Sequence, residues 1–105
     1  MPILLKDNYD TYDYPSTQGS YSMLGHQAGV DANSVAGLRK AGGLILGKAN
    51  QDEFAFWTTG FSNRGIQVSN PYNTSQSPAG SSSGTGAAIA ANFALGGTGS
   101  DTSSR

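Results

Sequence analysis

Between residues 84 and 95 the chain is apolar on almost every side: Ala87, Ala88, Ile89, Ala90, Ala91, Phe93, Ala94 and Leu95 leave no continuous polar stripe. A helix of that kind needs cover all round. The rest of the chain is poorly equipped to provide it. Of 105 residues, 36% are hydrophobic. Only 12% are charged, against a usual share of roughly 25%. Fifteen glycines, with many Ser, Thr and Asn, take up the difference. Such a composition predicts tight turns and close backbone approaches, not a dense independent core. The length allows one small domain.

The formal net charge is −1 and no block of like charges occurs. Neither a nucleic acid nor an anionic membrane is therefore expected as partner. The absence of cysteine excludes disulfides, thiolate metal sites and a Cys nucleophile. No apolar run approaches the length of about 20 residues that a transmembrane helix needs. Met1-Pro2-Ile3-Leu4-Leu5-Lys6-Asp7 does not read as a signal peptide, because the apolar run is short and the basic residue follows it. The cytoplasm is the default expectation. By this reading the chain opens inside a strand, a first hint of truncation.

Ile3-Leu4-Leu5 reads as a buried strand. Residues 7–29 are polar and turn-rich, with no regular element assigned. Residues 31–41 predict a helix, capped by Asp31 or Asn33, with Val35 and Leu38 on its apolar face. Arg39 and Lys40 suit its last turn and Gly42-Gly43 its stop. Leu44-Ile45-Leu46 follows as a second buried strand. Strand, helix, strand predicts an α/β architecture with a parallel pair. Residues 50–56 predict a short helix with Asn50 as cap and Glu53 at its third position. Residues 60–83 read as a long loop, which suggests a functional one. A helix is expected over residues 84–95.

Two segments carry chemistry. Lys6 follows the first strand and shares a strand face with Leu4. There it is either a desolvated base or a lysine reaching into water. Pro78-Ala79-Gly80-Ser81-Ser82-Ser83-Gly84-Thr85-Gly86 leads into the Ala-rich helix. It places hydroxyls and free N–H donors at a helix start, which suits an anion or a developing oxyanion. The other reading is a flexible Ser/Gly linker.

Other features lead nowhere. Gly42-x-x-x-x-Gly47-Lys48 mimics a phosphate-binding loop, but Ala49 stands where Ser or Thr is required. His26 is the only histidine and reads as a loop residue. Asp52 and Glu53 are adjacent, point apart on a helix, and make a poor acid–base pair. A solvated face or a helix start is expected there. Asn73-Thr74-Ser75 fits a glycosylation acceptor by chance frequency. Trp57 and Phe54 are expected to pack.

Five motifs in order resemble the amidase-signature hydrolases along nearly the whole chain. Pro2-Ile3-Leu4-Leu5-Lys6-Asp7-Asn8 resembles the strand bearing that family's catalytic lysine. Residues 38–50, ending in Gly47-Lys48-Ala49-Asn50, resemble the helix, strand and Gly-Lys-x-Asn segment. Asn70-Pro71-Tyr72, then Ser77-Pro78-Ala79-Gly80-Ser81-Ser82-Ser83-Gly84, resemble the Ser/Gly signature. Gly99-Ser100-Asp101-Thr102 resembles the start of its final stretch. The resemblance implies part of a mixed sheet covered by helices. It makes residues 1–105 an incomplete N-terminal part of the catalytic domain, the remainder missing.

It also implies a Ser–Ser–Lys triad acting on a small-molecule amide, with neither metal nor organic cofactor. Lys6 matches the lysine and Ser81 the bridging serine, which the family precedes with a cis peptide bond. Ser82 is expected to support the loop. Lys48 does not match the catalytic lysine. The family's final stretch runs Gly-[Ser/Thr]-Asp-Thr-Gly-[Gly/Asn]-Ser-Ile-Arg. Here Gly99-Ser100-Asp101-Thr102-Ser103-Ser104-Arg105 departs from it. Aligned without gaps, Arg105 falls on the nucleophile position, and arginine cannot act there. A gapped alignment would move Ser103 or Ser104 toward that slot, with Ser104 the substitute. Thr102, Ser103 and Ser104 match the oxyanion loop, with Ser103 in place of a glycine. The expectation is an amide hydrolase by ancestry that is inactive and poorly folded as these 105 residues. The alternatives are a non-catalytic remnant or pseudoenzyme, or one component of a tRNA-dependent amidotransferase. Asn70-Pro71-Tyr72 and Ala91-Asn92-Phe93 lean toward a stand-alone amidase.

Overall fold

The computed structural model describes residues 1–102. Its elements are β1 (Pro2–Lys6), α1 (Asn33–Lys40), β2 (Leu44–Ala49), β3 (Phe61–Ser62), β4 (Ile66–Gln67), α2 (Ser83–Ala90) and β5 (Gly96–Gly97). The predicted strand–helix–strand unit is present, and β1 and β2 pair in parallel with Ile3 opposite Ile45 and Lys6 opposite Ala49. β5 joins the other side of β1, also in parallel, giving the sheet order β2-β1-β5. The architecture is mixed α/β.

Alternation along β1 sorts its side chains. Ile3 and Leu5 face α1 and form the core with Val35 and Ile45. Leu4 looks the other way, into a groove shared with Ala87 and Ala88 of α2 and with Ala91 just after it. Lys6 lies on that second side, at the end of the strand, where β5 and the Ser/Gly loop converge.

Several local expectations need correction. The start of α1 has Ala32 at its cap position and no side-chain cap. Asp31 instead accepts from the Tyr12 N–H and pairs with Arg39, which also binds Asp13. A guanidinium with two carboxylates outcompetes a capping bond for Asp31. In the second strand only Ile45 of Leu44-Ile45-Leu46 is buried; Leu44 and Leu46 are exposed. The short helix expected over residues 50–56 is no α-helix and is confined to residues 53–55. A short 3₁₀ turn, Glu53–Ala55, appears there, and Phe54 (φ 51°) and Ala55 (φ 57°) take left-handed backbone that stops any α-helix. Asn50 is not a cap; its amide donates to the Gly65 carbonyl. The expected loop over 60–83 contains the β3–β4 hairpin. Phe54 and Trp57 are exposed, not packed in the core.

The Ala-rich helix is shorter than its apolar run and ends at Ala90. Only Ser83 and Thr85 on it are buried. Phe93 and Leu95 remain more than 70% exposed, at 72% and 73%. Among the described residues, five apolar residues are buried while fifteen large ones are exposed. Each buried aliphatic side chain contributes about 1.5–3 kcal/mol, against roughly 1–2 kcal/mol of backbone entropy for every residue ordered. The 105-residue chain by itself is therefore expected to melt gradually. A sharp calorimetric peak with equal van't Hoff and calorimetric enthalpies would refute that expectation.

Candidate active site

The end of β1 delivers Lys6 to the middle of the molecule, where it is fully buried. Its Nζ donates to Ser81 Oγ at 2.7 Å, across a separation of 75 residues. A second bond runs to Ser100 Oγ at 2.8 Å, with the Ser100 carbonyl at 3.5 Å. Burial rules out the reading in which Lys6 reaches into water.

Three elements bring these groups together. β5 holds the segment after it along β1, with Thr98 N–H on the Leu4 carbonyl and Lys6 N–H on Thr98 Oγ1. Two residues further on, Ser100 lands beside the lysine, and its Oγ also accepts from Asn8 Nδ2 at 3.1 Å. The serine loop is fixed at both ends on the stretch after β2. Asp52 N–H donates to the Ser81 carbonyl, and Gly84 N–H to the Asn50 carbonyl. The Gly80–Ser81 peptide bond is cis. Ser82 Oγ accepts from the Ser100 N–H at 3.2 Å, so Ser82 does support the loop by hydrogen bonding. The linker alternative for this segment is overturned, because it is anchored and continues into α2.

A cavity of about 280 Å³ opens over Ser81, lined also by Ala55, Thr58, Ser100 and Thr102. Thr102, expected in the oxyanion loop, lies on its wall. Ser103, Ser104 and Arg105 fall outside the described residues. A buried amine against one hydroxyl, with a second hydroxyl bracing it, is an arrangement able to carry a proton toward the cavity.

The family model described as Amidase matches residues 1–104. The chain belongs to the amidase family. It is 39% identical over 102 residues to a glutamyl-tRNA(Gln) amidotransferase subunit from Maridesulfovibrio salexigens, covering 97% of this chain and 21% of that protein. A probable amidase of Arabidopsis thaliana is 41% identical over 108 residues, with the same coverage. Among solved structures, the native peptide amidase of Stenotrophomonas maltophilia matches with a TM-score of 0.85 at 43% identity, over 90% of this chain and 20% of that one. The corresponding glutamyl-tRNA(Gln) amidotransferase subunit from Thermotoga maritima matches at 0.86 and 32% identity, over 90% of this chain and 21% of that one. This chain thus spans about a fifth of the length of the relatives it matches.

Of the remaining candidates among the described residues, none lies at the cavity. His26 is exposed in a loop. Lys48 lies on the far side of β2, bound to the Asp7 and Pro15 carbonyls, to Ser16 Oγ and, at 3.5 Å, to the Asp7 carboxylate. Burial lowers its pKa below 10.5, against the opposing pull of Asp7. The unfolded chain then binds the extra proton between that lowered value and 10.5, so stability rises with pH across this window. In Lys48→Met the rise should vanish, which denaturant midpoints of the complete natural chain across alkaline pH would show.

Nothing in the residue pattern pointed to Ser100 at the lysine or to Asp52 beneath the serine loop. Asp52 is fully buried, so the solvated face expected there is overturned, while the expected helix start is present: Asp52 is the N-cap residue of the short 3₁₀ helix Glu53–Ala55. Its neighbour Glu53 does open the 3₁₀ turn. The signal for Ser100 was its place in the Gly99-Ser100-Asp101-Thr102 stretch, but only the pairing of β5 with β1 shows what that hydroxyl touches. No helix among the described residues is long and apolar enough to cross a membrane.

Proposed function

We propose that residues 1–102 supply the base and the proton relay of a serine hydrolase acting on carboxylic amides. The observation that carries this is the 2.7 Å contact between Lys6 Nζ and Ser81 Oγ at the edge of the cavity. Lys6 in its neutral form takes the proton of Ser81. Ser81 in turn takes the proton of an attacking serine, which forms an acyl-enzyme as the amide's amine leaves with a proton. Water then releases the acid. Thr102, with Ser103 and Ser104, supplies backbone N–H groups to the tetrahedral oxyanion. The attacking serine is the part this segment does not contribute in the ungapped alignment, where Arg105 takes its place, with Ser104 the substitute. A small-molecule amide is the substrate class, and the mechanism needs no cofactor.

A graft tests this directly. Residues 1–102 replace the matching segment of the Stenotrophomonas maltophilia peptide amidase, whose remaining chain supplies the attacking serine and the rest of the domain. The graft is expected to hydrolyse a simple aryl amide. A folded graft with no turnover would favour a non-catalytic remnant instead.

A further inference from the structure

Beneath the serine loop lies a side chain that the proposed chemistry does not use. Asp52 is completely buried and does not line the cavity. Its Oδ2 accepts from Thr59 N–H at 2.7 Å, Thr59 Oγ1 at 3.2 Å and Gly60 N–H at 3.0 Å. Oδ1 accepts from the same Gly60 N–H at 3.0 Å and from Ser83 Oγ at 3.4 Å. The backbone N–H of Asp52 donates to the carbonyl of Ser81 itself, at 3.1 Å. The contact extends to Gly80, where an added Cβ would sit 2.5 Å from Oδ1.

One residue therefore ties Thr59 and Gly60 to the serine loop: its carboxylate holds the Ser83 hydroxyl and closely approaches Gly80, and its own N–H holds the Ser81 carbonyl. A carboxylate can do this because it accepts on two oxygens at once while all its partners donate. The Ser81 hydroxyl has no comparable anchor beyond Lys6 among the bonds described. Its placement depends on where the main chain from Gly80 to Ser83 is held.

We infer that Asp52 is a positioning residue, whose buried carboxylate, held by Thr59 and Gly60, braces the serine loop at Gly80 and at the Ser83 hydroxyl so that Ser81 Oγ stays within proton-transfer reach of Lys6. This rests on the reading of Lys6 and Ser81 as base and relay. Because Asp52 does not touch the cavity, its loss acts on the alignment of the reacting groups and leaves substrate binding alone. Misplacement of a reacting group by an ångström lowers the rate by about 10²-fold.

The test compares Asp52→Ala and Asp52→Asn with the unmutated sequence in the peptide-amidase graft, by amide hydrogen exchange and by kinetics. In Asp52→Ala the amides of residues 79–84 should exchange at least about tenfold faster while those of β1 and β2 are unchanged. The kcat should fall by about 10–100-fold, with KM within about twofold of the unmutated graft. Asparagine keeps one accepting oxygen for Thr59 and Gly60, so Asp52→Asn should recover about half of each effect on a logarithmic scale. Unchanged exchange at residues 79–84 overturns the inference. So does equal acceleration in β1 and β2, or a raised KM at constant kcat. If the alanine variant does not fold, the asparagine variant decides: exchange confined to residues 79–84 and about threefold faster supports the inference, and unchanged exchange overturns it. The exchange readout needs no turnover, so it stands or falls separately from the base-and-relay reading, which fails if Lys6→Met keeps full activity.

Discussion

Lys6→Met in the peptide-amidase graft should lower kcat for an aryl amide by about 10²–10⁴-fold, the range that a positioned acid or base supplies. Methionine follows the apolar stem of lysine as far as Cε and lacks only the amine, so the buried site stays nearly filled and the thermal midpoint should hold. What disappears is the proton acceptor 2.7 Å from Ser81 Oγ. Ser100 Oγ cannot replace it, since a hydroxyl is a far weaker base than an amine. Ser81→Ala should cost a similar factor, because it breaks the same relay one step later. The double variant should be no worse than the more damaging single one, as groups acting as a unit are not additive. Additive losses would mean that the two residues serve separate purposes. An active Lys6→Met graft would remove the proposed mechanism altogether.

Gly84→Ala is the second substitution with a large expected effect, and it works through packing. An added Cβ would collide with the Asn50 carbonyl oxygen and lie 2.5 Å from Asn50 N and 2.8 Å from its Cα. All three are backbone atoms that cannot rotate aside. The helix α2 would have to lift from the end of β2, giving up the Gly84 N–H bond to the Asn50 carbonyl. Overpacking of this kind costs about 3 kcal/mol when the backbone must move. The graft should lose several degrees of thermal midpoint. Its kcat should also fall, because Ser81 is carried by the same loop. Gly86 is the control. It sits in the same helix with no atom within 4 Å of its missing Cβ, so alanine there should be neutral or stabilising by about 0.5–1 kcal/mol. Equal damage at both positions would show that close approach to Asn50 is not what Gly84 provides.

Much of the frame is legible in the residues. The β1–α1–β2 unit follows from two short apolar runs separated by an amphipathic helix with a glycine stop. The serine loop follows from three hydroxyls between glycines, and the motif order leads to the family. Local expectations fail where tertiary partners compete for a side chain. Asp31 binds Arg39 instead of capping α1, and Asn50 reaches Gly65 instead of starting a helix. The 50–56 helix shrinks to a 3₁₀ turn because Phe54 and Ala55 take left-handed backbone, with the Phe54 N–H on the Gln18 carbonyl.

The sequence alone determined which chemical groups are present: one lysine after an apolar strand, a triple serine before a helix, and no thiol. It could do so because residue identity and short-range periodicity are local properties. The family resemblance paired Lys6 with Ser81, but only the tertiary structure shows the contact and what else joins it. Lys6 reaches Ser81 and Ser100 because β1 lies between β2 and the late-arriving β5, and Asp52 is buried because a distant loop folds over it. Contacts between residues far apart in the chain depend on how strands pair and stack, and no local pattern encodes that.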